Sequence, residues 1–215
     1  MIKNETINIE LSTVRLKGDL VLTENAIGLV IFSHGSGSGR LSPRNKYVAK
    51  LIQHEKIATL LLDLLTEEED KIYETRFDID LLTSRLIEVT HWLTTQKNTM
   101  NLPLAYFGAS TGAASALRGA AHFGNMIKAV VSRGGRPDLA FHVLQKVTAP
   151  TLFIVGGLDI TVIHLNKQAY KELKAKKELK IIQGATHLFE EPGKLLEAAE
   201  AAIEWFKKNL SKHER

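Results

Sequence analysis

The chain has 215 residues, 44% hydrophobic and 24% charged, with a formal charge of +4 at pH 7. That length and apolar fraction suit a single α/β domain over residues 1–215, and the small charge, with both signs interspersed, argues against a nucleic-acid-binding surface. With no cysteine, disulfides, a thiolate nucleophile and Cys-based metal sites are excluded, which suits a reducing cytoplasmic setting.

The opening "MIKNETINIELS" alternates apolar and polar residues and lacks the apolar centre of a signal peptide. The longest early apolar run, "AIGLVIF", falls far short of the about 20 residues that span a bilayer. "TINIEL" and "VRLKGDLVL" keep period two, which predicts an antiparallel pair at a sheet edge. The runs "AIGLVIF", "IATLLLD", "LPLAYFG", "IKAVVSRGG", "APTLFIVGG" and "ELKIIQG" then read as strands covered on both faces.

Helices are predicted between them, around 43–55, 77–97, 111–123, 138–146, 163–176 and 193–209. In the second, Leu82, Leu86, Val89 and Leu93 fall on one helical face. This alternation predicts an α/β fold: a mostly parallel, doubly wound sheet flanked by helices on both faces, with antiparallel N-terminal strands. The acidic run "TEEED", 66–70, reads as a solvated loop, since no histidine stands nearby to complete a metal site. The lysine-rich stretch 167–180 reads as a solvated helix face.

Ligands of such sheets bind beyond the carboxyl ends of the strands. Four of those ends carry chemistry: "SHGSGSG", "GASTG", "GGLD" and "GATH". Gly108-Ala109-Ser110-Thr111-Gly112 fits G-x-S-x-G between a strand and an Ala-rich helix, the context in which a serine is held exposed on a sharp turn. A serine hydroxyl needs a base to take its proton and a carboxylate to orient that base. Asp159 and His187 follow Ser110 in the required order, each close to a strand end, with Asp138 and Glu190 as substitute acids. The other histidines, His34, His54, His91, His122, His142, His164 and His213, mostly fall in helices or at the C-terminus.

The Gly-rich loop after the first buried strand is not a nucleotide site. Gly35, Gly37 and Gly39 are followed by Arg40 where a dinucleotide fingerprint needs glycine, and no Gly-Lys-Ser/Thr occurs. Opening with His-Gly, it instead resembles the segment that supplies an oxyanion donor in serine hydrolases. The backbone amides of Ser36 and Thr111 are the expected pair, with Gly35 or Gly37 replacing Ser36 if the register differs by one.

"SHGSGSGRLSPRN", "LLLDLLTEEE", "FGASTGAA", "VVSRGGRPD" and "IVGGLD" followed by "GATHLFEEPG" resemble, in order and spacing, the small dienelactone hydrolase-like branch of the α/β-hydrolases, over roughly residues 27 to 210. The chain is also similar to hydrolase modules that occur joined to phosphoribosyltransferase domains. The resemblance implies Ser110 as nucleophile, His187 as base, Asp159 as orienting acid and the amides near Ser36 and at Thr111 as oxyanion donors. Dienelactone hydrolase itself uses a cysteine where this chain has Ser110, which favours general ester chemistry over the namesake substrate.

Only residues 135 to 150 separate "IKAVVSRGG" from the next strand, so no cap domain fits and the site is open to water. The expected activity is therefore carboxylic ester hydrolysis on small to medium soluble substrates through an acyl-serine, with no cofactor, metal, nucleic-acid or membrane partner. A thioesterase, peptidase-type hydrolase or other acyl transferase using the same residues, or a non-catalytic binding protein on the same fold, are the alternatives. Arg40, Arg44, Arg133 and Arg136 fall near the same strand ends and could recruit a carboxylate or phosphate on the substrate, or instead brace loops through acids such as Asp63 and Asp138.

Overall fold

A computed structural model describes residues 3–211. Strands β1 (Lys3–Glu10) and β2 (Arg15–Leu22) precede β3 (Leu29–Ser33), helix α1 (Pro43–His54), β4 (Ala58–Leu62), α2 (Ile79–Thr95), β5 (Leu104–Ala109) and α3 (Gly112–Phe123). There follow β6 (Ile127–Arg133), β7 (Thr151–Gly156), α4 (Ile160–Glu172), β8 (Lys177–Ile182) and α5 (Lys194–Leu210). The strands form one sheet in the order β1-β2-β4-β3-β5-β6-β7-β8. β2 pairs antiparallel with both β1 and β4, and every other pairing is parallel. This is the mostly parallel, doubly wound sheet with antiparallel N-terminal strands that the alternation of runs predicts, and the α/β-hydrolase arrangement that the resemblance implies.

The period-two geometry of strands divides the apolar residues between two cores. Leu29 and Ile31 of β3, with Leu104 and Tyr106 of β5, face the layer that holds Leu82, Leu86, Val89 and Leu93 of α2 and Leu117 of α3. Val30, Phe32, Ala105 and Phe107 face the other side, where Val48 and Ile52 of α1 meet Trp205 and Phe206 of α5. Burying each such leucine, valine or phenylalanine contributes about 1.5–3 kcal/mol, so the central strands are held from both faces. The buried Tyr106 hydroxyl finds its partner in Thr90, 2.7 Å away.

Helix starts follow local chemistry. The Ser42 side chain accepts from the Asn45 amide ahead of Pro43, and Asp78 accepts from the Leu81 amide, 2.9 Å, at the start of α2.

Four local expectations change. β8 alternates exposed and half-covered residues instead of being buried on both faces, because it is the outermost strand and pairs only with β7. The helix expected over 163–176 is α4, which ends at Glu172; the buried Leu173 turns the chain into β8 and splits the lysine-rich stretch between helix and strand. Within "TEEED", Glu69 is drawn inward by the buried Arg85 guanidinium, 3.0 Å away, and Asp70 pairs with Arg76. The stretch 138–146 is helical but of the tighter 3-10 kind, Pro137–Lys146, and it occupies the β6–β7 connection in place of a cap. Among the described residues, no helix is long and apolar enough to cross a membrane.

Candidate active site

Parallel register brings the carboxyl ends of five strands to one edge. Ser33 of β3 pairs with Gly108 of β5, Ala109 with Arg133 of β6, Arg133 with Ile154 of β7, and Gly156 with Ile182 of β8. The residues that leave those ends, Ser36, Ser110, Asp159 and His187, are thereby gathered though they are dispersed in sequence.

Ser110 has φ of +50°, a conformation few non-glycine residues adopt, and it is clamped there. Its amide donates to the Arg133 carbonyl (3.2 Å), and its carbonyl accepts from the amides of Arg136 (3.0 Å) and Ala113 (3.1 Å). The two glycines of the motif are required by close approach. A Cβ on Gly108 would lie 2.4 Å from the Ala113 Cα, and one on Gly112 would lie 2.1 Å from the Ser33 carbonyl oxygen. Helix α3 can therefore begin directly beside β3 and β5 only if both positions lack side chains.

His187 Nδ1 donates to Asp159 Oδ2 at 2.6 Å, which in the neutral imidazole leaves Nε2 without a proton and able to accept one. The loop that carries His187 is held by the Glu191 carboxylate, which accepts from the Thr186 amide, and by Phe189, buried at φ +59°. Asp138 is bound to Arg136 and Glu190 to Arg44, so of the three candidate acids it is Asp159 that meets the imidazole. Ser110 and His187 line one cavity of about 260 Å³, together with Gly35, Ser36, Ser38, Ser42, Arg44, Asn45, Arg133 and Leu188. Among the described residues there is no direct hydrogen bond between Ser110 and His187; such bonds are commonly long before substrate is bound.

The Gly-rich loop is fixed by His34. Its Nε2 accepts from the Leu64 amide (3.0 Å), so Nδ1 carries the hydrogen and donates to the Gly35 carbonyl (2.9 Å). Burial lowers the pKa of this imidazole from its usual value, against the raising influence of the Gly35 bond and of Asp63 and Asp70. The Ser36 amide donates to the Thr111 hydroxyl at 2.9 Å. The Thr111 amide has no acceptor among the described residues.

The four arginines do not share one role. Arg40 binds Asp19 and Asp63, and Arg136 holds Asp138 in a two-pronged contact; both brace loops away from the cavity. Arg44 reaches the cavity while paired with the exposed Glu190 at 2.8 Å. Arg133 is 7% exposed and has no carboxylate partner among the described residues. Its guanidinium lies between the rings of Phe107 and Phe189, one nitrogen reaches the Asn45 side-chain oxygen at 3.3 Å, and Nη1 has no partner among the described residues. Desolvation, and then the neighbouring Arg44 charge, push Arg133 down to about 10.

Sequence reasoning missed Asn45 and Phe189. Asn45 sits in the first turn of α1, where an asparagine signals nothing beyond a polar helix start. A phenylalanine at positive φ has no sequence signature. His91 and His122 stack edge-on with Phe123, away from the cavity, and His213 lies outside the described residues.

Residues 54–212 match the Dienelactone hydrolase family. The chain belongs to that family. It is 50% identical to a dienelactone hydrolase from Anabaena variabilis ATCC 29413, whose crystal structure superposes with a TM-score of 0.95 over 97% of this chain and 98% of that one. Two curated Mycobacterium tuberculosis proteins, from strains CDC 1551 and H37Rv, are named "Putative phosphoribosyl transferase" and are each 51% identical over 205 residues. That match covers 95% of this chain and 46% of theirs, so the chain spans about half the length of these relatives. Est1E from Butyrivibrio proteoclasticus shares the fold at 17% identity, with a TM-score of 0.82 over 95% of this chain and 98% of that one. This member of the family carries serine at the elbow, and its fold and family are those of hydrolases.

Proposed function

We propose that the chain is a serine-dependent carboxylic ester hydrolase acting on small esters that carry a negative charge. The observation that carries the reading is a single cavity holding Ser110 on a strained elbow, the Asp159-bound His187 and the unpaired Arg133, with no carboxylate in its lining. In this reading Ser110 Oγ attacks the ester carbonyl and His187 Nε2 takes its proton. The tetrahedral intermediate collapses as His187 returns the proton to the leaving alcohol, and a water activated by the same nitrogen then releases the acid from the acyl-serine. Asp159 keeps the imidazole oriented and stabilises its charge.

The substrate is small because the cavity, at about 260 Å³, lies below the about 300–1,000 Å³ usual for drug-sized ligands. It is anionic because the buried Arg133 in the wall has no carboxylate partner among the described residues, and burying a charge is costly until a partner arrives; Arg44, bound to Glu190, adds a second positive group beside it. Labelling with a fluorophosphonate probe, wild type against Ser110→Ala, tests the nucleophile. Kinetics on matched neutral and carboxylate-bearing p-nitrophenyl esters, thioesters and peptides test the class. A wild-type protein that is not labelled would return the chain to the ranks of binding proteins, and a preference for thioesters or peptides would replace the ester assignment.

A further inference from the structure

Thr111 stands where α3 begins, a place where a threonine hydroxyl ordinarily accepts a hydrogen bond from an amide of its own first helical turn. It makes no such cap. Its backbone is already helical, with φ −60° and ψ −29°, and its hydroxyl turns outward to accept from the Ser36 amide, 2.9 Å away and 75 residues earlier. The amide expected to meet a developing oxyanion is thus occupied by a side-chain oxygen.

That oxygen has a proton of its own. Thr111 is 4% exposed, and a buried hydroxyl rarely leaves its hydrogen unused. With its lone pair facing Ser36, the hydroxyl directs the hydrogen elsewhere, and no acceptor takes it among the described residues. The Thr111 main-chain N–H is equally unclaimed. The nitrogen and hydroxyl oxygen of one threonine are only three bonds apart, so both hydrogens can converge on a single oxygen bound next to Ser110.

We propose that the Thr111 hydroxyl is itself an oxyanion donor, and that the Ser36 amide acts through it. This rests on the serine hydrolase reading above. As the bond from Ser110 Oγ to the carbonyl carbon forms, the serine proton passes to His187 and the carbonyl π pair moves onto the oxygen. That charge is met by the Thr111 N–H and O–H, the latter polarised by Ser36. When the intermediate collapses the pair returns to the carbonyl, the alcohol leaves with the proton from His187, and the Thr111 hydrogen stays on Thr111 throughout.

The test compares Thr111→Val, which keeps the shape, with Thr111→Ser, which keeps the hydroxyl, on p-nitrophenyl acetate. The expected result is a loss of about 10²-fold in kcat for Thr111→Val with KM nearly unchanged, and recovery of most of that loss in Thr111→Ser. A crystal structure of the wild-type protein with a phosphonate on Ser110 supplies a readout independent of whether the variants fold, and should show Thr111 Oγ1 about 2.5–3.0 Å from the phosphonyl oxygen. Wild-type or higher kcat in Thr111→Val, or an adduct whose oxygen takes the Ser36 amide while the Thr111 hydroxyl is turned away, overturns the proposal. A wild type that neither hydrolyses the ester nor takes up the phosphonate would instead overturn the hydrolase reading on which it rests.

Discussion

Replacing Arg133 with methionine removes a charge that has no carboxylate partner among the described residues, and this separates stability from function. The fall of the guanidinium from its ordinary value to about 10 corresponds to about 3 kcal/mol of destabilisation of the charged form. Because the folded value lies below the unfolded one, that cost is present throughout the neutral range and is relieved only as pH rises past about 10. Against it stand one long hydrogen bond to Asn45, worth about 1 kcal/mol, and the faces of two phenylalanines, about 0.5–1 kcal/mol each. Methionine keeps much of the aromatic contact through its sulfur. The two sides nearly cancel, so Arg133→Met is expected to unfold in urea within about 1 kcal/mol of wild type, where breaking a matched buried ion pair costs about 3–5 kcal/mol. The same variant should lose about tenfold or more in kcat/KM on a carboxylate-bearing ester and little on its neutral counterpart, the loss expected when a charged hydrogen bond is removed. Destabilisation beyond 3 kcal/mol would refute the reasoning by showing that the native protein neutralises this charge.

Three further outcomes follow from the geometry. Asp159→Asn should preserve the fold and lower kcat by about 10⁴-fold, since the amide no longer holds the imidazole in its working tautomer; steady-state kinetics beside circular dichroism would check both halves. Gly112→Ala drives a Cβ to 2.1 Å from the Ser33 carbonyl oxygen and should cost about 3 kcal/mol or more, whereas Gly37→Ala, with open space but φ of +65°, should cost about 1–2 kcal/mol by thermal unfolding. Similar losses at the two positions would mean that crowding at the elbow is not what excludes side chains. Because His34 titrates below its unfolded range, the unfolded state binds the extra proton first, and stability should fall as pH drops below 6.5. Urea titrations should show a slope of up to about 1.4 kcal/mol per pH unit there, and His34→Gln, which keeps an acceptor for the Leu64 amide, should flatten it.

The alternation of apolar runs and helical faces was readable along the chain because strand and helix periods are local properties, and the G-x-S-x-G turn because its glycines are dictated by a backbone only a few residues away. Ser110, Asp159 and His187 could be chosen on the same ground: each leaves a strand end, and parallel strands put such ends on one edge. That Asp63 and Asp138 would brace arginines was readable, but which arginines they take and which is left without an acid was not. Arg40 meets Asp19 and Asp63, and Arg44 meets Glu190, across separations that only folding closes. Arg133 is instead enclosed by Phe107 and Phe189, with no carboxylate partner among the described residues, and desolvation is a property of surroundings that no run of residues carries. The turn of the Thr111 hydroxyl toward Ser36 belongs to the same category, since its local sequence favours a helix cap and a loop from elsewhere in the chain supplies the competing donor.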